Sequence, residues 1–248
     1  RNTPSLLGTS QLSIDLRFGT LSPRRVAQVV GESTAGRAAL VRQLAWRDWY
    51  AHMLIATPTL VEQPMKPQYA AIQWRQDDKS FEAWKNGLTG YPFVDAGMRQ
   101  LKETGWMHNR VRMIAGSLLV KHLLQPWQEG ARWFWDTLVD ADLGNNSMGW
   151  QWVAGSGADA SPYFRIFNPI IQGKKFDPTG EYVKKWVPEL SELSKDQIHT
   201  PWEVTPIELA SAGVTLGKDY PHPIVSHESG RQAALDAYAS YKQQASDK

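Results

Sequence analysis

Residues 34–58 read TAGRAALVRQLAWRDWYAHMLIATP, and how this stretch folds decides the class of the whole chain. Leu40, Val41, Leu44, Ala45, Trp49 and Met53 recur at the 3.6-residue spacing of a buried helical stripe. Thr34 can cap the first turn with its side chain, and Pro58 stops the run. A second set of residues winds along the same helix. Gln43, Trp46, Arg47 and Tyr50 stand at i, i+3, i+4 and i+7, so an amide, a fixed cation and two aromatics share one face. Either that face is solvated, with Trp46 in a groove between helices, or it meets a flat aromatic ligand or a base with phosphates nearby.

Outward from this segment the helical signals continue. Ser22 and Pro23 open RRVAQVV as N-cap and first helical residue. Ser80 is expected to cap FEAWKN, which Gly87 ends, and Pro92 opens FVDAGMRQLKE up to Gly105. Residues 109–124, 130–140 and 228–243 are also expected to be helical. Alternating strand patterns are nearly absent, which predicts an all-α domain. The Pro-rich stretch 188–223 predicts irregular chain over the surface. NNSMGWQW, residues 145–152, has the Asn, Ser and Gly of a surface turn, yet carries two Trp.

Composition bounds the function. With 42% hydrophobic and 21% charged residues the chain is ordinary globular protein. Its net charge is only +2, so a polyanion would have to meet a local basic patch. The absence of Cys removes disulfides, thiol nucleophiles and thiolate metal sites. The six His lack metal-ligand spacing, so no metal is expected. No apolar run approaches the roughly 20 residues of a membrane span, and the opening residues carry no signal peptide. A cytoplasmic protein without membrane contact, and a monomer, is the expectation. RNTPSLLGTSQLS reads as a linker entering a domain, and suggests a preceding domain. The 12 Trp invite a reason beyond packing, because a core that only needed filling would use Leu.

Three further groups of residues carry chemistry or mimic it. In WMHNRVRMIAG, Asn109, Arg112, Met113 and Gly116 form a polar, soft face ending where a ring or a backbone could approach closely; ordinary helix packing at Gly116 is the alternative. Two such faces in one chain suggest a shared pocket. Asp136, Asp140 and Asp142 are placed near the end of the helix expected from Gly130, where carboxylates oppose the macrodipole and call for partners such as Arg112 or ligand hydroxyls, solvation being the other reading. GSGADA from Gly155 matches a dinucleotide fingerprint, but Pro162 and Pro169 forbid the helix that motif needs.

GTSQLS, QLAWRDWY, TGYPFVDAGMRQL, TGWMHNRVRM, DADLGNNSMGWQW and SPYFRIFNPIIQGKKFDP together resemble the flavin-binding catalytic domain of the photolyase and cryptochrome family, in order and over nearly the whole chain. The resemblance implies residues 1–20 as a linker and phosphate-binding loop, residues 21–248 as the helical FAD-binding domain, and an α/β antenna domain, the seat of any second chromophore, before residue 1. It implies FAD as the cofactor, active when fully reduced. Thr9, Ser10, Gln11, Leu12 and Ser13 resemble the loop that holds its phosphates. Arg47 and Arg112 resemble the cations beside the ring system, Asp140, Ala141 and Asp142 the residues near flavin and ribose, and Asn146 the side chain facing flavin N5. Leu40 stands where the family places a Trp against FAD.

The same resemblance implies light-driven repair, in which an electron from excited reduced FAD splits a pyrimidine dimer flipped out of DNA. Trp150, Trp127 and Trp74 match a series of three Trp that relays electrons from the surface to the flavin, although each alone reads as core. Trp46 and Trp152 resemble the aromatics that hold the dimer; Arg47, Tyr50, Asn109, Arg110 and Met113 resemble residues on its approach, and Gln172 a DNA contact. Asn146 together with Asn109 and Met113 resembles the class I enzymes acting on cyclobutane dimers. Gln43 stands where these usually carry Glu, and is shared with relatives acting on (6-4) photoproducts. A signalling cryptochrome, (6-4) repair and a flavin-free nucleic-acid module are the alternatives.

Overall fold

The structure is a computed structural model that describes residues 2–158 and 165–246. Among the described residues it is helical, without strands. The first three helices are α1 (Ser13–Phe18), α2 (Pro23–Val30) and α3 (Ala35–Ala56). Ser22 and Thr34 cap α2 and α3 by accepting from the N–H of Arg25 and Arg37. Leu16, Val26 and Leu44 form a small hydrophobic cluster of their own, joined by Leu12, Leu21 and Leu40. Leu12 and Leu16 are therefore packed onto α2 and α3. Of the expected α3 stripe only Leu44 is fully buried, and Ala45 is exposed, because the other side of this helix borders a cavity instead of a second core.

The main core gathers α4 (Asp78–Lys85), α5 (Pro92–Thr104), α6 (Asn109–Ser117), α7 (Trp127–Thr137) and α8 (Leu143–Ala154). Several boundaries differ from the sequence expectation. Asp77, not Ser80, caps α4, since its carboxylate accepts from the N–H of both Lys79 and Ser80. The segment after α6 continues as a π-helical turn, Leu118–His122. Helix α7 starts at Trp127, directly after Pro126, and ends at Thr137. Asp140 and Asp142 thus lie beyond α7, and Asp142 is the N-cap of α8, where a carboxylate favours the macrodipole.

NNSMGWQW is helix, not turn. Asp142 accepts from the Asn145 N–H at 2.9 Å, and tertiary packing holds the rest. A Cβ on Gly144 would stand 3.2 Å from the Tyr50 carbonyl carbon, and one on Gly130 would stand 2.2 Å from Trp150 Cη2. Gly144 and Gly130 thus mark where α3 and α7 meet α8, and this packing with the Asp142 cap overrides the weak helix propensity of the Asn, Ser and Gly in the segment. Gly155, first of GSGADA, ends this helix at φ 93°, so it opens no helix; Pro162 lies outside the described residues.

Helices α9 (Pro169–Phe176), α10 (Glu181–Trp186), α11 (Pro206–Ser211) and α12 (His227–Ser246) close the molecule. The Pro-rich stretch is more ordered than expected. Proline opens each of its turns at Pro188, Pro201 and Pro206, and Leu190, Leu193, Ile198, Leu209, Val214 and Tyr220 enter the core. Fully buried Asp95 ties this stretch to α5, accepting from the Tyr220 hydroxyl at 2.5 Å and from Thr89 and Gly90. Among the described residues no helix is long and apolar enough to cross a membrane.

Candidate functional site

A cavity of about 610 Å3 lies between the two hydrophobic clusters, within the usual size range of cofactor sites. Leu16 and Leu44 of the small cluster line one side; Met107, Phe134, Leu138, Trp150 and Val153 line the other. The loop Thr9, Ser10, Gln11, Leu12 and Ser13 borders it, and Gln11 takes a left-handed backbone at φ 54°. Both faces singled out in the sequence meet here. Helix α3 contributes Leu40, Gln43, Trp46, Arg47 and Tyr50, and α6 contributes Asn109, Arg112, Met113 and Gly116.

Among the described residues one ion pair, Arg112 with Asp140, lies in the cavity wall, and Arg17 and Arg47 donate to backbone carbonyls. Arg112 donates to both carboxylate oxygens of Asp140, at 2.9 and 3.1 Å, and its Nε donates to the Met107 carbonyl at 2.7 Å. This is the partner that Asp140 was expected to need. Arg47 donates to the Leu16 carbonyl at 2.9 Å, which ties α1 to α3. Arg17 donates to the Ala141 carbonyl from the opposite wall. Asn146 donates one amide N–H to the Ala131 carbonyl at 2.8 Å, which leaves its amide oxygen and its second N–H for a ligand.

Trp150 and Trp152 both line the cavity, yet they have different surroundings. Trp150 is buried and T-shaped against Phe134, with ring centroids 5.0 Å apart. Among the described residues its indole N–H has no hydrogen-bond partner. Trp152 is half-buried and stacks on Phe167. Trp127 is buried in the same core as Trp150, one helical turn before Gly130, over which the Trp150 ring lies. Trp74 is half-buried at the edge of that core, and the next N–H, Arg75, donates to Leu124 just before α7. Burial therefore decreases from Trp150 and Trp127 to Trp74.

Four expected residues stand outside the lining: Trp127, Trp74, Arg110 and Gln172. Arg110 donates to the Asn2 side chain at 3.0 Å and covers the Phe176 ring, while Gln172 is half-buried on α9. Conversely Arg17, Trp106, Phe134, Leu138 and Asn145 line the cavity without having been singled out. Arg17 had a signal, a cation four residues past the Thr9–Ser13 loop. Phe134 and Leu138 had none, because a cavity-lining apolar residue looks like core. Trp84 was also missed; it stacks on Phe81 and Phe134 and meets Trp150 edge-on at 6.1 Å.

Fold and site define a helical domain with a cavity whose wall combines large aromatics, cations, carboxylates and loop hydroxyls. The sequence of residues 40–240 matches the family described as the FAD binding domain of DNA photolyase, and the chain belongs to that family. It is 50% identical over 251 residues to a deoxyribodipyrimidine photo-lyase of Agrobacterium fabrum, covering 98% of this chain and 52% of that protein. A crystal structure described as a bacterial class III photolyase from Agrobacterium tumefaciens superposes with a TM-score of 0.96 at 50% identity, over 98% of this chain and 52% of that one. A Synechocystis cryptochrome superposes with a TM-score of 0.87 at 37% identity, over 92% and 48%. The chain thus spans about half the length of the relatives it matches.

Proposed function

We propose that this chain binds FAD in the cavity and uses light to split cyclobutane pyrimidine dimers in DNA. The observation that supports this best is the joint lining of one cavity by cations, carboxylates, loop hydroxyls and large aromatics in a member of this family. That donor set fits FAD: Arg47 and Arg112 suit its negative charge, the hydroxyls of Thr9, Ser10 and Ser13 its phosphates, and Asp140 and Asp142 its ribose hydroxyls. Gln11, Leu12, Leu40 and Ala141 complete the wall around it. Asn146 presents an acceptor, which suits the N–H that a reduced flavin carries at N5.

Held by Arg47, Arg112, Asp140, Asp142 and Asn146, reduced FAD would supply the light-driven one-electron chemistry that dimer splitting needs. The protein's own part is to hold the partners and to feed in electrons. Trp74, Trp127 and Trp150 pass an electron inward, since indole releases one readily and its π-system relays charge without moving atoms. Trp46 and Trp152 flank the dimer. Gln43 donates an amide N–H to a dimer carbonyl without first needing a proton, so repair should depend little on pH. Tyr50, Asn109, Arg110, Met113 and Gln172 border the path of the flipped nucleotides.

The motifs resemble class I enzymes, whereas the Agrobacterium structure is described as class III; the proposed reaction does not depend on which label this chain takes. A second reading, a cryptochrome-type photoreceptor, follows from the Synechocystis likeness. Such a protein would take up FAD and photoreduce it without removing dimers. The test is to load the chain with FAD, reduce it, and follow dimer loss from an oligonucleotide in blue light and in darkness. Loss in light alone supports the enzyme; photoreduction without loss would leave the photoreceptor. Binding to damaged DNA should weaken as salt rises, reflecting phosphate contacts at a local basic surface.

A further inference from the structure

Trp152 lines the cavity and, half-buried, packs against the main core. Among the described residues its indole makes no hydrogen bond, and its one aromatic neighbour is Phe167. The two rings lie 22° from parallel with centroids 6.3 Å apart. Phe167 does not reach the cavity. It is itself well anchored: it packs against the main core, and its N–H points to Ser117 Oγ on α6 at 3.4 Å. The Arg165 guanidinium stands 5.3 Å from the centre of the Phe167 ring. Trp152, Phe167 and Arg165 therefore form a row of neighbours that begins at the cavity wall.

We propose that Phe167 is a positioning residue for lesion recognition: it fixes the plane that Trp152 presents to the dimer, without touching the dimer itself. The proposal rests on the assignment of Trp152 to the lesion made above. A ring already held in its bound orientation need not be ordered at the moment of binding, which is where preorganisation adds affinity. The cost of losing it should match the strength of one aromatic pair, about 3- to 10-fold in affinity.

The experiment is a double-mutant cycle on the FAD-loaded chain, reading affinity for a duplex with one cyclobutane thymine dimer and for the same duplex undamaged. Phe167→Ala should weaken lesion binding by about 3- to 10-fold while leaving the flavin absorbance and the affinity for undamaged duplex unchanged. Phe167→Tyr should restore it, and Phe167→Leu, which fills the space without an aromatic plane, should not. That pair of variants carries the test if the Ala variant folds poorly. In a Trp152→Ala background, Phe167→Ala should cost nothing more. Additive losses, or equal losses on undamaged duplex, would overturn the proposal and leave Phe167 a packing residue. If Trp152→Ala alone leaves lesion affinity intact, the assignment of Trp152 fails and the role of Phe167 falls with it. If Trp152→Ala weakens lesion binding and Phe167→Ala does not, only the role of Phe167 fails.

Discussion

Trp150 and Trp152 are two residues apart on one helix, which turns them about 200° from each other. One faces Phe134 and Trp84 and the other Phe167, yet both border the same cavity. Their proposed roles are correspondingly separable. Trp150→Phe should slow photoreduction of oxidised flavin by an order of magnitude or more, measured as the rise of reduced flavin under blue light, while chemically reduced enzyme still repairs. Trp152→Ala should do the reverse, sparing photoreduction and weakening dimer binding. The same failure in both variants would contradict the division. Arg112→Ala should lower flavin retention, read as absorbance near 450 nm per protein, because it removes a cation and leaves buried Asp140 without its pair. At this scale much of the site was legible: Gln43, Trp46, Arg47 and Tyr50 betray themselves by combining polar and aromatic groups at helical spacing. Phe134 and Leu138 do not, since ligand contact and core contact ask for the same side chains.

Helix α8 shows where element reading from sequence breaks down. Its Asn, Ser and Gly residues suggest a turn by propensity, and the packing of α3 at Gly144 and of Gly130 of α7 on Trp150 holds the segment helical. Gly130→Ala should therefore destabilise by overpacking against the Trp150 ring, by about 1–3 kcal/mol, seen as a lower urea midpoint together with a changed Trp fluorescence. The docking of α12 on the π-helical turn offers a second check. His122 Nε2 lies 2.9 Å from His227 Nδ1, and burial, with His227 beside it, pushes His122 from 6.5 down to about 4. A depressed value means that the neutral form is the folded one. Its contribution is thus complete above pH 6.5 and is lost as pH falls towards 4, by roughly 3 kcal/mol at most. Urea midpoints should drop between pH 7 and 4.5, and His122→Asn should flatten that drop. Buried Asp95 and Asp177, whose carboxyls burial raises, act in the opposite sense, so the difference between variant and parent isolates the histidine.

Across the molecule, two hydrophobic clusters of unequal size meet at the cavity, where α3 packs directly on α8 at Gly144 and Arg17 reaches the Ala141 carbonyl. The all-α class was legible because helix caps and periodicity are local signals. The split into two clusters was not, because it depends on which apolar stripes find one another. FAD bound in the seam should stabilise the whole, by about 2.7 kcal/mol at a hundredfold excess over its dissociation constant, and should raise hydrogen-exchange protection in α1–α3 along with the melting temperature. The reaction itself is tested most directly by giving the reduced, FAD-loaded chain a duplex pool that carries cyclobutane dimers and (6-4) photoproducts together, under blue light, and quantifying both. Loss of the cyclobutane dimers with the (6-4) products intact is the expected result; loss of the (6-4) products alone, or of neither lesion, would contradict it.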